Sequence, residues 1–313
     1  MPTGIPAKLV FGVVMNETLR ISASRKHGTH SPLRYPGGKA VLAGLFEDLI
    51  LDLGLQNATY VEPYAGGAGA GLSLLKRDKI ERLVINDIDP AVNSFWVSVT
   101  TRNAEFIELL DSLPLDVEEW KKQREIYRKR DTSDSLALGM AFFYLNRTNR
   151  SGILTAGVIG GLDQTGNYKI DARFNKENLI VRLEEIGLVA HRIVVSDADG
   201  RNIIRDYASD PNAFLYIDPP YVQAGSRLYL NAFEGRDHAA LASVVREASA
   251  SNWIMTYDDS SLIRNLYADE FQCYLDIRYS AHGHGKAQEL VVASQSVSGA
   301  LTTLLASRSL AST

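Results

Sequence analysis

Short apolar runs alternate with stretches of helical periodicity along most of the chain. Each run is bounded by polar or glycine-rich residues, which is typical of buried strands in a largely parallel sheet. The pattern predicts seven strands, at residues 59–61, 83–85, 192–195, 214–217, 253–257, 274–278 and 289–293. Apolar groups at helical spacing predict a first helix over residues 40–53. The chain is therefore expected to form an α/β fold around a seven-stranded, mostly parallel sheet.

The connection between the second and third predicted strands is far longer than a single crossover helix requires. Its helical periodicity predicts an inserted, mainly helical domain at residues 100–165. The main domain would then consist of residues 31–99 and 166–295. Residues 1–30 lack sustained periodicity and are expected to form a loosely ordered N-terminal arm, and residues 296–313 a C-terminal tail rich in Ser, Ala and Leu.

Composition and charge narrow the class of protein without identifying it. The formal net charge of -4 argues against coating nucleic acid by bulk electrostatics but leaves room for a local basic face. The single cysteine, Cys273, excludes an internal disulfide and is expected to be buried. His282 and His284 have no acidic or Cys partner at ligand spacing, so no metal is expected. Because no apolar run is long enough for a transmembrane helix and no signal peptide is evident, we expect a cytoplasmic protein.

Acidic side chains directly follow five of the predicted strands. Ligands of open α/β sheets bind outside the carboxyl ends of the strands, and a purely structural sheet has no need of this arrangement. These positions are therefore candidates for a binding site: Glu62, Asp87, Asp197, Asp218 and Asp258.

A glycine-rich turn follows the first of these acids, over residues 62–71 (Glu-Pro-Tyr-Ala-Gly-Gly-Ala-Gly-Ala-Gly). Its glycines allow a ligand to approach the backbone between a strand and a helix. Leu72 stands where a dinucleotide fingerprint needs its third glycine, which disfavours a dehydrogenase. Asp87 suits the two ribose hydroxyls of a nucleoside cofactor. Capping of the next helix by Asp87 or Asp89 is the alternative.

Residues 34–39 (Arg-Tyr-Pro-Gly-Gly-Lys) precede the first predicted helix. The glycines and Lys39 suit the carboxylate of a cofactor that carries an amino acid. An ordinary loop explains the segment equally well.

The tetrapeptide at residues 218–221 (Asp-Pro-Pro-Tyr) suits one reaction. The lone pair of the exocyclic amine of adenine is delocalised into the ring, so this nitrogen must become more tetrahedral before it attacks a sulfonium methyl group. Asp218 and the carbonyl of Pro219 would each accept one of its N–H bonds, and the locked φ angles of the prolines fix that carbonyl. Tyr221 offers a flat face for stacking, and a base in a duplex would have to be flipped out. A rigid turn is the alternative.

Residues 34–39, residues 62–67, Asp87 and the 218–221 tetrapeptide, in this order, resemble the Dam-like (D12 class, alpha group) DNA adenine-N6 methyltransferases. The resemblance covers about residues 31–295. It implies a Rossmann-like, S-adenosylmethionine-dependent methyltransferase sheet that carries an inserted DNA-recognition domain. The implied activity is site-specific methylation of adenine N6 in double-stranded DNA.

The resemblance also implies roles for single residues. Tyr35 and Lys39 would contact S-adenosylmethionine, Asp87 would bind its ribose, and Asp218 would lie at both the cofactor and the target amine, with Pro219 and Tyr221 beside it. The remaining cofactor candidates are Glu62, Pro63, Tyr64, Gly66 and Asp197.

Two stretches of the predicted insertion suit contact with DNA. Residues 121–130 hold six basic residues and one acidic residue, which predicts a phosphate-contacting surface, with a solvated helix face as the alternative. Residues 143–152 resemble the family segment that borders its DNA-reading region, and their polar side chains are of types that read bases or clamp phosphates. The predicted DNA-binding residues are Lys121, Lys122, Arg124, Arg128, Asn146, Arg147, Asn149 and Arg150.

Two other functions are compatible with the same motifs. The tetrapeptide also serves methylation of cytosine N4 or of another nucleic-acid amine. A catalytically idle DNA-binding subunit is the second alternative, and intact Asp87, Asp218, Tyr221 and Lys39 argue against it. We expect a monomer or weak dimer whose partner is duplex DNA.

Overall fold

The computed structural model of the protein describes residues 18–22, 30–34, 39–222, 233–248, 251–278 and 286–310. Its centre, in these residues, is a sheet of eight strands in the order β1-β7-β8-β6-β5-β2-β3-β4. The strands are β1 Thr18–Ser22, β2 Thr59–Glu62, β3 Arg82–Asn86, β4 Ile193–Ser196, β5 Ala213–Ile217, β6 Asn252–Asp258, β7 Phe271–Arg278 and β8 Lys286–Ala293. β8 is antiparallel to β6 and β7, and the other pairs are parallel.

The sheet contains all seven predicted strands and one more. The additional strand, β1, pairs in parallel with β7, from Thr18 beside Tyr274 onward, and Leu19 and Ile21 are buried. The expectation of a loosely ordered arm is therefore wrong for residues 18–22. Thr18–Ser22 alternates polar and apolar residues, a strand pattern that the interpretation of residues 1–30 as an arm overlooked.

The strand order reverses between β2 and β5. From β2 the chain proceeds outward to β3 and β4, and it then returns to the other side of β2 with β5 and β6. The loops after β2 and β5 therefore leave the sheet in opposite directions and open a crevice at its carboxyl edge, where ligands of such sheets bind. The glycine-rich turn and the 218–221 tetrapeptide are these two loops.

Helices cover both faces of the sheet. They are α1 Ala43–Asp52, α2 Gly69–Lys76, α3 Pro90–Thr101, α4 Asn103–Ser112, α5 Val117–Lys129, α6 Ser135–Thr148, α7 Lys176–Val189, α8 Gly200–Tyr207, α9 Gly235–Glu247, α10 Ser261–Leu266 and α11 Gln295–Leu310. Successive strand residues point to opposite faces. Tyr60 packs into the core that α1 to α7 and α11 share, and Val61 into the core beneath α8, α9 and α10.

The long connection between β3 and β4 is helical, as predicted. Phe95 of α3 stacks on Phe143 of α6 at 5.5 Å between ring centroids, and both belong to the same apolar core as Leu83 of β3. The boundary predicted at residue 100 falls inside α3. The assignment of residues 100–165 as a separate DNA-recognition domain stays a prediction.

The predicted C-terminal tail contains α11. Its residues Val297, Leu301 and Leu305 are buried at helical spacing, so one face of this helix docks on the main core. Cys273 is buried in β7. In the part of the chain that the structure describes, no helix is long and apolar enough to cross a membrane. Within the same residues no cluster of His, Cys, Asp or Glu could hold a metal, and His282 and His284 lie outside them.

Candidate active site

Asn86 fixes the carboxyl ends of three neighbouring strands. Its side-chain amide lies at the end of β3 and donates to the carbonyl of Pro63, 2.8 Å away, and to that of Ala198, 3.0 Å away. The turns after β2, β3 and β4 are thereby held at one edge. The sequence signal was the position of Asn86 directly before Asp87, and its role was not predicted.

Asp87 lies at this edge with two of its lone pairs in use. Its Oδ2 accepts from the backbone N–H of Gly66 at 3.0 Å, and its Oδ1 accepts from that of Asp89 at 2.9 Å. A carboxylate has about four acceptor positions, so each oxygen retains one. Burial raises the pKa of Asp87 to about 6. The N-cap of α3 is Asp89, which accepts from the N–H of Ala91, and capping is therefore excluded as the role of Asp87.

The glycine-rich turn is held in a tight conformation. Gly66 has φ +48°, and Ala68, at the start of α2, has φ +45°, a region that non-glycine residues seldom adopt. The indole N–H of Trp96 donates to the carbonyl of Gly66 at 2.9 Å. Such strain persists only where the surroundings impose it, which is common at ligand sites.

The other predicted cofactor-binding residues near this turn have different surroundings. The Pro63 carbonyl is taken by Asn86. Tyr64 packs edge-to-face on Phe233 and covers Gly200, where an added Cβ would lie 2.5 Å from the Tyr64 ring. Asp197, after β4, is exposed. Tyr35 lies outside the described residues.

Glu62 is buried at the carboxyl end of β2. Its Oε1 accepts from the backbone N–H of Gly71 at 3.0 Å, and burial, together with the charge of Asp218, raises its pKa to about 8. The carboxyl is therefore largely protonated at neutral pH. The contact of Glu62 with the cofactor stays a prediction.

Glu62→Gln should stabilise the fold at high pH. An acid whose pKa is higher in the folded than in the unfolded state destabilises the fold progressively as the pH rises from its ordinary value to the raised one. Glutamine mimics the neutral form, so the free energy of unfolding should exceed that of the wild type by about 2–4 kcal/mol at pH 8 and by little near pH 4.5. Urea unfolding at both pH values measures this, and an equal difference at the two would refute it.

The 218–221 tetrapeptide presents one carboxylate oxygen outward. Oδ1 of Asp218 accepts from the hydroxyl of Tyr221 at 3.0 Å and from that of Thr256 at 2.8 Å. Neither Oδ2 of Asp218 nor the carbonyl of Pro219 has a hydrogen-bond partner among the residues described. Asp258 of β6 accepts from the N–H of Val222 at 2.9 Å and so fixes the chain just beyond Tyr221. Two acceptors of this loop are thus without a protein donor among the described residues.

Lys39 faces these residues, and its contact with the cofactor stays a prediction. Its ammonium lies 2.6 Å from both carboxylate oxygens of Glu289, 2.7 Å from the Tyr221 hydroxyl and 3.8 Å from Oδ1 of Asp218. Glu289 comes from β8, and neither it nor Thr256 was predicted. Both lie within strands, and only the adjacency of β5, β6 and β8 brings them to the tetrapeptide.

The basic residues of α5 are partly neutralised. Lys121 pairs with Glu118 at 2.7 Å, and Lys122 with Glu119 at 3.3 Å. The Arg124 guanidinium lies over the Trp120 ring, at 5.0 Å from its centroid, and Arg128 is exposed. The local excess of positive charge is therefore smaller than the sequence indicates.

Two amides that were predicted to face DNA are buried and bonded within the protein. Asn146 exchanges hydrogen bonds with the backbone of Arg34, at 2.7 and 2.8 Å. Asn149 accepts from the indole of Trp120 at 2.7 Å and donates to the carbonyls of Ile153 and Leu154. We therefore propose no direct DNA contact for Asn146 or Asn149, because no donor or acceptor of either amide is directed outward.

Arginines gather around residues 31–34. Arg147 donates to the carbonyls of Pro32 and Arg173, and burial together with the charges of Arg34, Arg182 and Arg173 lowers its pKa to about 10. In the described part of the chain no carboxylate forms a salt bridge with any of these four. With Arg150, which is exposed, they form what we call the arginine surface: Arg34, Arg147, Arg150, Arg173 and Arg182.

The fold and the site together indicate the class of enzyme to which the protein belongs. A glycine-rich turn, a carboxylate after the next strand and an Asp-Pro-Pro-Tyr loop at the switch point of an α/β sheet are the parts of a methyltransferase that acts on an amine. The chain belongs to the D12 class N6 adenine-specific DNA methyltransferase family, whose model matches residues 35–280. It is therefore an enzyme that methylates N6 of adenine in DNA.

Individual known proteins resemble the chain more distantly. It is 27% identical over 202 residues to the type II methyltransferase M.MjaIII of Methanocaldococcus jannaschii, a match that covers 60% of this chain and 68% of that protein. Among solved structures, the rRNA methyltransferase aviRa from Streptomyces viridochromogenes matches with 15% identity and a TM-score of 0.35, over 84% of this chain and 88% of that one.

Proposed function

We propose that the enzyme transfers a methyl group from S-adenosylmethionine to an adenine that is flipped out of duplex DNA. The observation that carries this proposal is the asymmetry of Asp218. Both hydrogen bonds that described residues donate to its carboxylate fall on Oδ1, and we propose that Oδ2 and the Pro219 carbonyl accept the two N–H bonds of the amine. A base paired in a duplex cannot bring its amine into such a crevice, so flipping is required.

The donor set fits a nucleoside cofactor that carries an amino acid. Asp87 retains an acceptor position on each oxygen for two ribose hydroxyls, and Asp197 is exposed at the end of the adjacent strand. The hydroxyl of Tyr64 is buried, and no described residue bonds to it. S-adenosylmethionine, when bound, supplies an electrophilic methyl group on a sulfonium sulfur.

The residues of the tetrapeptide prepare the amine. Acceptance of its N–H bonds by Oδ2 of Asp218 and the Pro219 carbonyl draws the nitrogen toward tetrahedral geometry and exposes its lone pair. Transfer of the methyl group would break its bond to the sulfonium sulfur, leave a neutral thioether and give N6 one proton too many, and Oδ2 of Asp218 would receive that proton. Tyr221 lies beside Asp218 and offers its ring for stacking with the base.

The arginine surface is the part of the protein we propose to contact DNA phosphates. Arg34 stands shortly before Lys39 in the sequence, and Lys39 bonds to Tyr221, which supports placing this surface near the crevice. Added Cβ atoms at Gly152 would lie 2.8 Å from the Arg34 carbonyl, which indicates how closely the two segments pack. Arg128 of α5 is a further candidate. The type II name of the relative M.MjaIII supports a role in restriction and modification.

Binding of S-adenosylmethionine should weaken in acid through Asp87. Since burial holds its pKa at about 6, the carboxylate that accepts the ribose hydroxyls is present above that pH and is lost below it. We expect Kd to be nearly constant above pH 7 and to rise by up to about tenfold per pH unit below pH 6. Calorimetry on the protein without DNA measures this.

Matched variants separate the role of Asp87 from general acid effects. Asp87→Asn should raise Kd about a hundredfold at pH 7.5 and abolish the pH dependence. Asp111→Asn, an exposed position on α4, should behave as the wild type. A pH dependence that survives in Asp87→Asn would assign the ribose to another group.

A further inference from the structure

The Lys39 ammonium has all its donors occupied. An ammonium group carries three N–H bonds, and three acceptors lie within hydrogen-bond distance: both oxygens of Glu289, at 2.6 Å, and the Tyr221 hydroxyl, at 2.7 Å. The side chains of Lys39 and Glu289 are only 10% and 8% exposed, so water contributes little to this arrangement. Oδ1 of Asp218 lies just outside bonding range, at 3.8 Å.

The charges fix the direction of every hydrogen bond that reaches Asp218. Lys39 can only donate, so the Tyr221 hydroxyl accepts from it and gives its own proton to Oδ1. Thr256 likewise gives its proton to Oδ1, which requires the Tyr216 hydroxyl to donate to Thr256, 2.7 Å away. The two donors that the described residues supply therefore converge on Oδ1.

Loss of Glu289 would leave Asp218 as the nearest carboxylate to Lys39. A buried ammonium without its partner is costly, and a movement of about 1 Å would bring it onto Asp218. Lys39 would then bond to Oδ1 of Asp218, the oxygen it already faces, and would reduce the negative charge that draws the amine toward tetrahedral geometry.

We propose that Glu289 is a positioning residue that keeps Lys39 out of hydrogen-bond distance of Asp218, so that the Asp218 carboxylate keeps its negative charge for the target amine. In this arrangement Lys39 orients the Tyr221 hydroxyl and forms only a long ion pair, at 3.8 Å, with Oδ1 of Asp218. The inference rests on the proposed function of Asp218 as the acceptor for the amine. It assigns to β8 a part in the reaction that none of the sequence motifs contains.

The inference can be tested by comparing kcat of two single variants with that of the double variant. Glu289→Gln should lower kcat for methylation of unmethylated genomic DNA about tenfold or more, with little change in KM for S-adenosylmethionine. Adding Lys39→Met should restore kcat severalfold above the Glu289→Gln value, because the ammonium that would bond to Asp218 is gone. If Glu289 only stabilises the fold, kcat of the double variant should instead be lower than that of either single variant.

Controls keep the outcome interpretable. Glu185→Gln removes the partner of Lys76 in another Lys–Glu pair, away from the crevice, and should leave kcat unchanged. Glu289→Asp keeps the charge and should lower kcat less than Glu289→Gln, which provides a second variant if the first unfolds. Wild-type kcat in Glu289→Gln, or no recovery on adding Lys39→Met, overturns the inference. An inactive wild-type protein would instead count against the proposed function.

Discussion

Replacing Asp218 by asparagine is expected to lower kcat at least about a thousandfold while the fold persists. Asparagine can still accept from Tyr221 and Thr256 through its carbonyl oxygen, so those two hydrogen bonds survive. Its NH2 group then replaces Oδ2, and it meets the N–H bond of the target amine donor to donor. The amine loses an acceptor at the step where its nitrogen must become tetrahedral.

Incorporation of a labelled methyl group into DNA under single-turnover conditions measures this loss. Thermal unfolding should place the variant close to the wild type, which separates chemistry from folding. Asp206→Asn, at an exposed position on α8, serves as the matched control and should keep full activity. If Asp218→Asn keeps more than about a tenth of the activity, Asp218 is not the acceptor for the amine.

Removing charge from the arginine surface should weaken DNA binding far more than removing it from α5. Arg150 and Arg173 are exposed, and neither forms a salt bridge with a described carboxylate. Arg150→Gln with Arg173→Gln should raise Kd for duplex DNA about a hundredfold and reduce the slope of log K against log salt by about two, since each phosphate contact contributes about 0.9.

Variants of α5 show whether the phosphate contacts lie on the arginine surface or on that helix. Lys121 and Lys122 already pair with Glu118 and Glu119 of their own helix, so the net charge they offer a phosphate is small. The double variant Lys121→Ala with Lys122→Ala should change Kd by less than about threefold. Fluorescence anisotropy at several salt concentrations measures both. A larger effect in the α5 variant would move the phosphate contacts to that helix.

The sheet was predictable from the sequence because its central strands are buried on both faces. Such strands appear as continuous apolar runs, and all seven predicted runs are strands. The eighth, β1, is an edge strand whose formation depends on β7, more than two hundred residues away along the chain. The pattern of residues within a short segment does not indicate which distant strand it will pair with. α11 was missed although Val297, Leu301 and Leu305 recur at helical spacing, because Ser and Ala surround them.

The site was predictable where a motif imposes backbone geometry, as in the 218–221 tetrapeptide and the turn before α2. It was not predictable where side chains meet across strands, as Thr256 and Glu289 meet Asp218 and Lys39. Residue type was also misleading for Asn146, whose amide suits a base but binds the backbone of Arg34 instead. The residue type determines which hydrogen bonds a side chain can form, and the fold determines which partner it meets.

The most direct test of the central claim is the identity of the methylated nucleoside. Unmethylated duplex DNA incubated with the protein and methyl-labelled S-adenosylmethionine would be digested to nucleosides and separated by chromatography with mass detection. We expect label in N6-methyl-2′-deoxyadenosine alone, at a level that falls to background with Asp218→Asn. Label in N4-methyl-2′-deoxycytidine, or undiminished label with Asp218→Asn, would contradict the assignment.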